Sequence, residues 1–260
     1  MKPIILMYHS VAGDKPLDLY GVSKRCFYEQ ISWLIDQDYH FVALDTLVKS
    51  KKNGIFGSKR KQVILTFDDG YQDFFVHALP ILKQYRIPAT VFLVTDMLGN
   101  ISNWSSQNLE IPLMTDTEVQ QVKCQGIDLG SHTLSHVDLT TLGTEELVRQ
   151  LVSSRLKLAD FGETFFPFSY PWGKYSTREI AALKDVGYEC AVTAEWTTRI
   201  SRFDLYRLER LTMRHGLDLA SFKKLILGST WPRQVYALVQ DLLRRARNKV
   251  SRILNEENSK

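Results

Sequence analysis

One stretch of the chain reads Val63-Ile64-Leu65-Thr66-Phe67-Asp68-Asp69-Gly70-Tyr71, an apolar run that ends in two carboxylates and a glycine. In α/β folds, reactive side chains gather where strands end at the carboxyl edge of the sheet. Two adjacent carboxylates repel each other when both are ionised, and a metal ion is an economical counter-charge. Glycine permits the turn that brings both side chains together. The stretch predicts a strand that delivers Asp68 and Asp69 to a site, although the same residues also suit a solvated turn.

Similar apolar runs alternate with amphipathic segments along the chain. The runs predict strands over residues 4–8, 63–67, 89–94, 127–129, 166–169 and 190–193. The segments between them predict helices over residues 24–37, 73–85, 116–123, 144–161, 177–185 and 219–227. Because the strands are apolar throughout rather than alternating, both faces of the sheet should be covered, as in a parallel sheet. Repeated β–helix units indicate an α/β fold, either a barrel or a doubly wound sheet.

Local signals refine this pattern. Capped first turns are expected at Thr115 with Glu118, at Ser176 with Glu179, and at Thr141 or Thr144 ahead of two glutamates. Residues 49–61 are basic and contain glycine, so they predict a surface loop.

Composition places the chain among globular proteins. It has 260 residues, of which 44% are hydrophobic and 24% are charged, which suits one large domain. Its three cysteines lie far apart, which excludes a disulfide scaffold and a thiolate zinc ribbon and fits a reducing compartment. The opening apolar run is too short for a signal-peptide core, and no stretch approaches the roughly 20 apolar residues of a membrane span. A cytoplasmic location is therefore expected.

Positive charge is concentrated near the end of the chain. Residues 231–260 hold seven of the 33 basic residues and three of the 29 acidic ones, so residues 1–230 are formally neutral. A neutral body argues against nucleic acid as a partner. We expect a catalytic domain over residues 1–230 and a basic amphipathic C-terminal helix within residues 231–260. That helix would either dock on the domain or lie on anionic lipid, as a peripheral contact with the inner membrane.

A second polar stretch follows the strand predicted over residues 127–129. It reads Gly130-Ser131-His132-Thr133-Leu134-Ser135-His136. Histidines four residues apart share one face of a helical turn, a spacing suited to a divalent ion. Such a pair also arises by chance, but together with the aspartate pair it predicts two histidines and one carboxylate around zinc or another first-row metal.

Two further stretches end strands. One reads Phe166-Pro167-Phe168-Ser169-Tyr170-Pro171-Trp172-Gly173-Lys174-Tyr175. It suits either a rigid aromatic loop or a wall that stacks on a sugar while a backbone N–H binds an oxyanion. The other reads Leu6-Met7-Tyr8-His9-Ser10 and places a histidine at the end of the first strand.

Together these four stretches resemble the polysaccharide deacetylase family, also called the NodB-homology or carbohydrate esterase family 4 group. Thr66–Gly70 and Ser131–His136 are the most specific elements, and the resemblance runs from about residue 3 to residue 227. It implies a deformed (β/α) barrel and metal-dependent removal of N-acetyl groups from amino sugars. By position, Asp68 would be the general base, and Asp69, His132 and His136 the ligands of one divalent ion, zinc first, with cobalt or nickel as alternatives.

The resemblance also implies roles for other residues. Thr133 would steady the histidine loop, the backbone amide of Trp172 would help to bind the oxyanion, and Tyr170 would contribute to substrate binding. The opening Leu6–Val11 is similar to the branch that acts on exopolysaccharides of the poly-N-acetylglucosamine type, in which the late Leu-x-His motif is permuted to the N-terminus. His9 would then be the acid, whereas His215 would be a surface or structural residue.

This sequence departs from the family in the third motif. Many members carry an arginine there, where this chain has Phe168 and Ser169, and Arg207 or Arg210 is the candidate replacement. The expected partner is an N-acetylated glycan. Alternatives are an amidohydrolase or deformylase acting on a small lipid- or nucleotide-linked amino sugar, and a catalytically inactive sugar-binding module.

Overall fold

The structure is a computed structural model that describes residues 3–13, 19–55, 58–104, 109–194 and 204–228. Its strands are β1 (Ile4–Tyr8), β2 (Val11–Ala12), β3 (Val22–Ser23), β4 (His40–Phe41), β5 (Gln62–Phe67), β6 (Ala89–Leu93), β7 (Ile101–Ser102), β8 (Ile111–Pro112), β9 (Asp128–Ser131), β10 (Pro167–Ser169), β11 (Cys190–Val192) and β12 (Leu211–Thr212). Its α-helices are α1 (Lys24–Asp36), α2 (Leu44–Lys52), α3 (Leu79–Tyr85), α4 (Asp116–Cys124), α5 (Thr144–Asp160), α6 (Thr177–Val186) and α7 (Leu219–Gly228).

The described residues contain one sheet of eight strands, all paired in parallel. The strand order is β11-β10-β9-β6-β5-β1-β12, and β4 pairs with the start of β5. The strands are buried along almost their whole length, as expected for a parallel sheet covered on both faces. Since all of them run the same way, the residues that follow β1, β5, β9 and β10 emerge at one edge.

A single segment closes the sheet into a deformed barrel. Leu208 pairs with Val192 of β11, and Leu211, three residues later, pairs with Leu6 of β1. The Met213 N–H then donates to the Met7 carbonyl at 2.8 Å. Residues 205–213 therefore connect the two open edges of the sheet, and the barrel expected from the sequence is confirmed.

Local chemistry accounts for where helices begin. Thr115 with Glu118 and Ser176 with Glu179 form reciprocal capping boxes on α4 and α6, as predicted. The predicted cap of α5 is wrong, because the cap residue is Gly143 and Thr141 donates its hydroxyl to the Asp138 carbonyl instead.

Two segments differ from the expected elements. The helix predicted over residues 73–85 is a π-helical turn, Phe74–Ala78, followed by α3. Pro80 near the start of α3 has no N–H to donate and its ring crowds the preceding turn, so regular α-helix cannot run through it. The loop predicted over residues 49–61 begins as helix, because α2 extends to Lys52 and buries Leu44 and Val48.

The described residues up to Asp218 form one unit, and α7 belongs to a second unit. The predicted domain boundary at residue 230 and the C-terminal helix predicted within residues 231–260 lie outside the described residues. Within the part of the chain that the structure describes, no helix is long and apolar enough to cross a membrane.

Candidate metal centre

Asp69, His132 and His136 meet at the carboxyl edge of the barrel. Each offers one ligand atom, and these atoms lie within 4.8 Å of one another. Asp69 Oδ1 lies 3.5 Å from His132 Nε2 and 3.3 Å from His136 Nε2. All three side chains are buried, at 3–6% exposure. The sequence prediction that β5 and β9 bring these residues together is thus met by the geometry.

The spacing suits a shared ion. Two ligand atoms held about 2.1 Å from a tetrahedral ion lie roughly 3.4 Å apart, which matches both aspartate–histidine distances. Asp69 Oδ1 is buried and has no hydrogen-bond partner among the described residues, although such atoms are rarely left unpaired. Two imidazoles and one carboxylate are the donor set of open zinc sites. The residues present therefore fit a divalent metal ion.

Electrostatics keep His132 and Asp69 in their metal-binding forms. Burial lowers the pKa of His132 to about 4, so its imidazole is neutral near pH 7. Burial alone would raise the pKa of Asp69, but His136, His9 and His132 outweigh it and hold that pKa well below its usual range. His132 Nδ1 lies 2.8 Å from the Ser169 carbonyl. That contact makes Nδ1 the donor and leaves Nε2 free for the ion.

The loops that carry these side chains are conformationally strained. Six non-glycine residues in the described part of the chain have positive φ, and four are at this site: Asp69, Thr133, His136 and Trp172. Such conformations cost of order 1–3 kcal/mol each and persist where the surroundings enforce them. For Thr133 the support is backbone, because its carbonyl accepts from the Thr95 N–H at 3.2 Å. The backbone at Thr133 is therefore tied to the residues that follow β6, and its role in steadying the histidine loop stays a prediction.

Glycines admit the close packing beneath the site. A Cβ on Gly130 would lie 2.4 Å from the Phe92 ring and 3.0 Å from the Pro167 carbonyl oxygen. Gly70 has φ +72°, and a Cβ there would lie 2.8 Å from the Leu93 side chain. Glycine at position 130 therefore lets β9 pack closely against Phe92 and Pro167. Glycine at position 70 lets the Asp68–Asp69 turn pack closely against Leu93.

Asp68 lies beside the candidate metal ligands, but its carboxylate is paired with an arginine. Its two carboxylate oxygens each accept from Arg210 at 2.7 Å, in a bidentate pair. Arg210 is 1% exposed and Asp68 is 3% exposed. Burial alone would raise the pKa of Asp68, but Arg210, His132 and His9 hold it below its usual value. Asp68 is therefore an ionised, oriented carboxylate beside the candidate metal ligands.

Of the two candidate replacements for the arginine absent from the third motif, Arg210 is the one that binds Asp68. It reaches the site from the closing segment, just before β12, whereas Arg207 is half exposed and lies 3.6 Å from Asp204 at the surface. Ser169, which stands in the third motif, donates to Asp68 at 3.0 Å and accepts from Arg210 at 2.9 Å. Its carbonyl also binds His132. Ser169 thus links the candidate base to a candidate metal ligand.

His9 lies at the same edge of the barrel. Tyr8 pairs with Phe67, and the Asp68 N–H donates to the Tyr8 carbonyl at 2.9 Å, so His9 emerges beside the aspartate pair. Its positive charge, when present, lowers the pKa of both aspartates. The His9 ring packs on Tyr20 with centroids 5.0 Å apart. His215 is exposed and is held by its backbone to Leu19, as a structural residue would be.

The aromatic loop after β10 contains both exposed and buried rings. Trp172 is 52% exposed, and its ring centroid lies 4.5 Å from that of His136. Tyr170 is 1% exposed, stacks on Tyr175, and donates its hydroxyl to the Tyr206 carbonyl at 3.1 Å. Within this loop, Trp172 offers surface to a ligand, whereas the Tyr170 side chain contributes to packing.

Residues 57–191 match the family described as polysaccharide deacetylase. The chain belongs to the polysaccharide deacetylase family. The chain is 30% identical over 224 residues to YxkH of Bacillus subtilis (strain 168), which is named after the same family. The match covers 84% of this chain and 74% of YxkH. The poly-β-1,6-N-acetyl-D-glucosamine N-deacetylase of Staphylococcus epidermidis is 29% identical over 214 residues, covering 77% of this chain and 71% of that protein.

Solved structures of deacetylases share the fold. The deacetylase PplD of Streptococcus pyogenes, solved in complex with acetate, superposes with a TM-score of 0.73 at 24% identity, covering 89% of this chain and 99% of PplD. IcaB from Ammonifex degensii gives a TM-score of 0.71 at 19% identity, covering 88% and 97% of the two chains. The resemblance first seen in the four motifs is confirmed, and so is the assignment of this polysaccharide deacetylase to the hydrolases.

Proposed function

We propose that this deacetylase hydrolyses the acetamide of N-acetylhexosamine residues in a polysaccharide or lipid-linked glycan, with zinc bound by Asp69, His132 and His136. The observation that carries the proposal is the split of the aspartate pair. Asp69 faces two histidines at metal-ligand spacing, while its neighbour Asp68 is held by Arg210 and remains available as a base. The named activity of the Staphylococcus epidermidis relative makes β-1,6-linked N-acetylglucosamine the first substrate to test.

Each residue would have a distinct role. Bound zinc polarises a carbonyl and lowers the pKa of a nearby water. Asp68 takes a proton from the water as its oxygen attacks the acetamide carbon, and the backbone N–H of Trp172 binds the resulting oxyanion. His9 donates a proton to the amine as the C–N bond breaks. The products are acetate and the free amino sugar.

The hydrogen bonds of Asp68 favour one oxygen as the proton acceptor. A carboxylate offers about four lone-pair sites. Among the described residues, Oδ2 accepts from Arg210 and Ser169, whereas Oδ1 accepts from Arg210 alone. We therefore place the proton on Oδ1. Because Arg210 stabilises the carboxylate, Asp68 stays ionised at neutral pH and is a weak base that depends on an acidified water.

The test is acetate release from β-1,6-linked N-acetylglucosamine oligosaccharides by the zinc-loaded enzyme. Asp68→Asn should retain about one metal per chain and lose at least ~100-fold in rate. His132→Ala should lose the metal as well, because it removes a ligand. Asp160→Asn, at an exposed position on α5, is the matched control. Near-normal turnover by Asp68→Asn, or no acetate from the zinc-, cobalt- or nickel-loaded wild type on any acetylated glycan, would overturn the proposal.

The acid role of His9 is tested by changing the leaving group. An amine needs a proton to depart, whereas the phenolate of a phenol with a low pKa leaves without one. His9→Gln should therefore lose ~100-fold or more on the oligosaccharide but less than ~10-fold on an activated aryl acetate. Equal losses on both substrates would show that His9 acts in some way other than proton donation.

For the basic segment over residues 231–260, contact with anionic membrane at the cytoplasmic face remains a prediction. Flotation with phosphatidylglycerol vesicles should recover the full chain but not a chain ending at residue 230. Unchanged flotation of the shortened chain would remove the segment from the membrane contact.

A further inference from the structure

The two candidate histidine ligands are held in different ways. A histidine that binds a metal usually donates its other ring N–H to an acceptor, which fixes the orientation of the ring. His132 follows this rule through the Ser169 carbonyl, at 2.8 Å from Nδ1. The Nδ1 of His136 is buried and has no hydrogen-bond partner among residues that the structure describes. His136 is therefore held differently from His132, by the rings packed against it.

Aromatic rings surround His136. Trp104 stacks on its face, with ring centroids 4.4 Å apart and planes only 12° from parallel. Trp172 meets the same imidazole at 74°, with centroids 4.5 Å apart. A parallel stack restricts the tilt of the imidazole, and His136 needs this restraint because its backbone has a positive φ of 54°.

Trp104 is itself anchored to the loop that contains the aspartate pair. It packs against a cluster formed by Tyr71, Ile111 and Leu113. Leu113 forms a β-bridge with Tyr71, and the Met114 N–H donates to the Gly70 carbonyl at 3.0 Å. The segment that contains β7 and β8 is thereby joined to the turn that presents Asp69. Trp104 lies between this turn and the histidine loop.

We propose that Trp104 is a positioning residue for the metal centre, and that its stack on His136 orients this imidazole as the Ser169 carbonyl orients His132. Trp104 holds the imidazole so that Nε2 faces Asp69, 3.3 Å from Oδ1. This inference rests on the proposed metal role of His136. The inference gives the two tryptophans different roles. Trp104 orients the ligand, whereas the half-exposed Trp172 remains open to substrate.

The test measures zinc affinity by competition with a chromogenic chelator, without any substrate. Trp104→Ala should weaken zinc binding 10- to 100-fold, the usual effect of losing a group that orients a metal ligand. Trp104→Phe keeps an aromatic face and should stay within about five-fold of wild type. Trp33→Phe, a tryptophan substitution in α1, is the control for general loss of stability and should leave affinity unchanged.

A combined variant links the effect to His136. In a His136→Ala background, titrated with zinc up to millimolar concentration so that the weakened site is still measured, Trp104→Ala should cause no further loss of affinity, because there is no imidazole left to orient. Intact folding is checked by circular dichroism. Should Trp104→Ala fail to fold, Trp104→Leu, which keeps an apolar side chain but no aromatic face, takes its place. Wild-type affinity in a folded Trp104→Ala or Trp104→Leu, or additive losses in the combined variant, would overturn the inference. If wild type binds no metal at all, it is the proposed function that fails.

Discussion

Replacing Arg210 with methionine tests the buried pair that holds the candidate base. The guanidinium makes five hydrogen bonds inside the barrel, two to Asp68 and one each to Thr66, Thr193 and Ser169. Methionine preserves much of the volume but leaves the Asp68 carboxylate buried and uncompensated. Removing one partner of a buried ion pair costs about 3–5 kcal/mol. We expect Arg210→Met to lose that much free energy of unfolding.

The assay pairs this variant with Arg207→Met. Arg207 lies three residues earlier and is half exposed, with Asp204 at 3.6 Å, so its loss should change stability by less than about 0.5 kcal/mol. Urea unfolding is followed in EDTA, so that metal binding does not contribute to the difference. Acetate release with saturating zinc should fall by ~100-fold in Arg210→Met, because the pKa of Asp68 rises and its orientation is lost.

A double variant decides the cause. Asp68→Asn removes the uncompensated charge, so Arg210→Met combined with Asp68→Asn should be more stable than Arg210→Met alone by about 1 kcal/mol or more, while remaining inactive. Equal unfolding midpoints for the two single arginine variants would refute the reasoning. So would a double variant less stable than Arg210→Met, since the cost would then come from lost packing rather than from the unpaired carboxylate.

Three further predictions concern other parts of the barrel. Burial, with repulsion from Glu163, raises the pKa of Asp128 to about 6, so wild type should lose up to about 3 kcal/mol of free energy of unfolding relative to Asp128→Asn as pH rises from ~4 to ~6. The comparison with the variant is needed because the lowered pKa of His132 raises stability over the same range. In urea titrations the difference between wild type and Asp160→Asn should not change with pH in this way. Gly130→Ala should lose about 1–3 kcal/mol and weaken metal binding in calorimetry, because its Cβ meets the Phe92 ring at 2.4 Å. Trp172→Ala should raise the KM for the oligosaccharide with zinc affinity within about two-fold of wild type, and a changed affinity with normal KM would contradict the division of roles between the tryptophans.

The barrel and its reactive edge could be predicted from local sequence. Each long strand is an apolar run bounded by polar residues or glycine, and its length and burial follow from that pattern alone. β1 agrees residue for residue with the prediction, while β5 and β6 differ by one residue. The sequence pattern does not predict the short strands β4 and β12, because two-residue pairings leave no periodic signal. Helix α2 has Leu44, Leu47 and Val48 at helical spacing, but its lysines and the glycine that follows favour a surface loop.

By itself, the sequence determined which residues could form the metal centre. Asp68, Asp69 and His132 directly follow strands, His136 lies four residues beyond His132, and parallel strands must end at one edge. Which arginine supports Asp68, and what orients His136, were decided by tertiary structure. Arg210 lies 142 residues from Asp68 along the chain, and only the closing of the barrel turns it inward while leaving Arg207 at the surface. Trp104 lies in a segment with no motif. Its role depends on ring contact across 32 residues of sequence, because stacking is set by distance and angle in space.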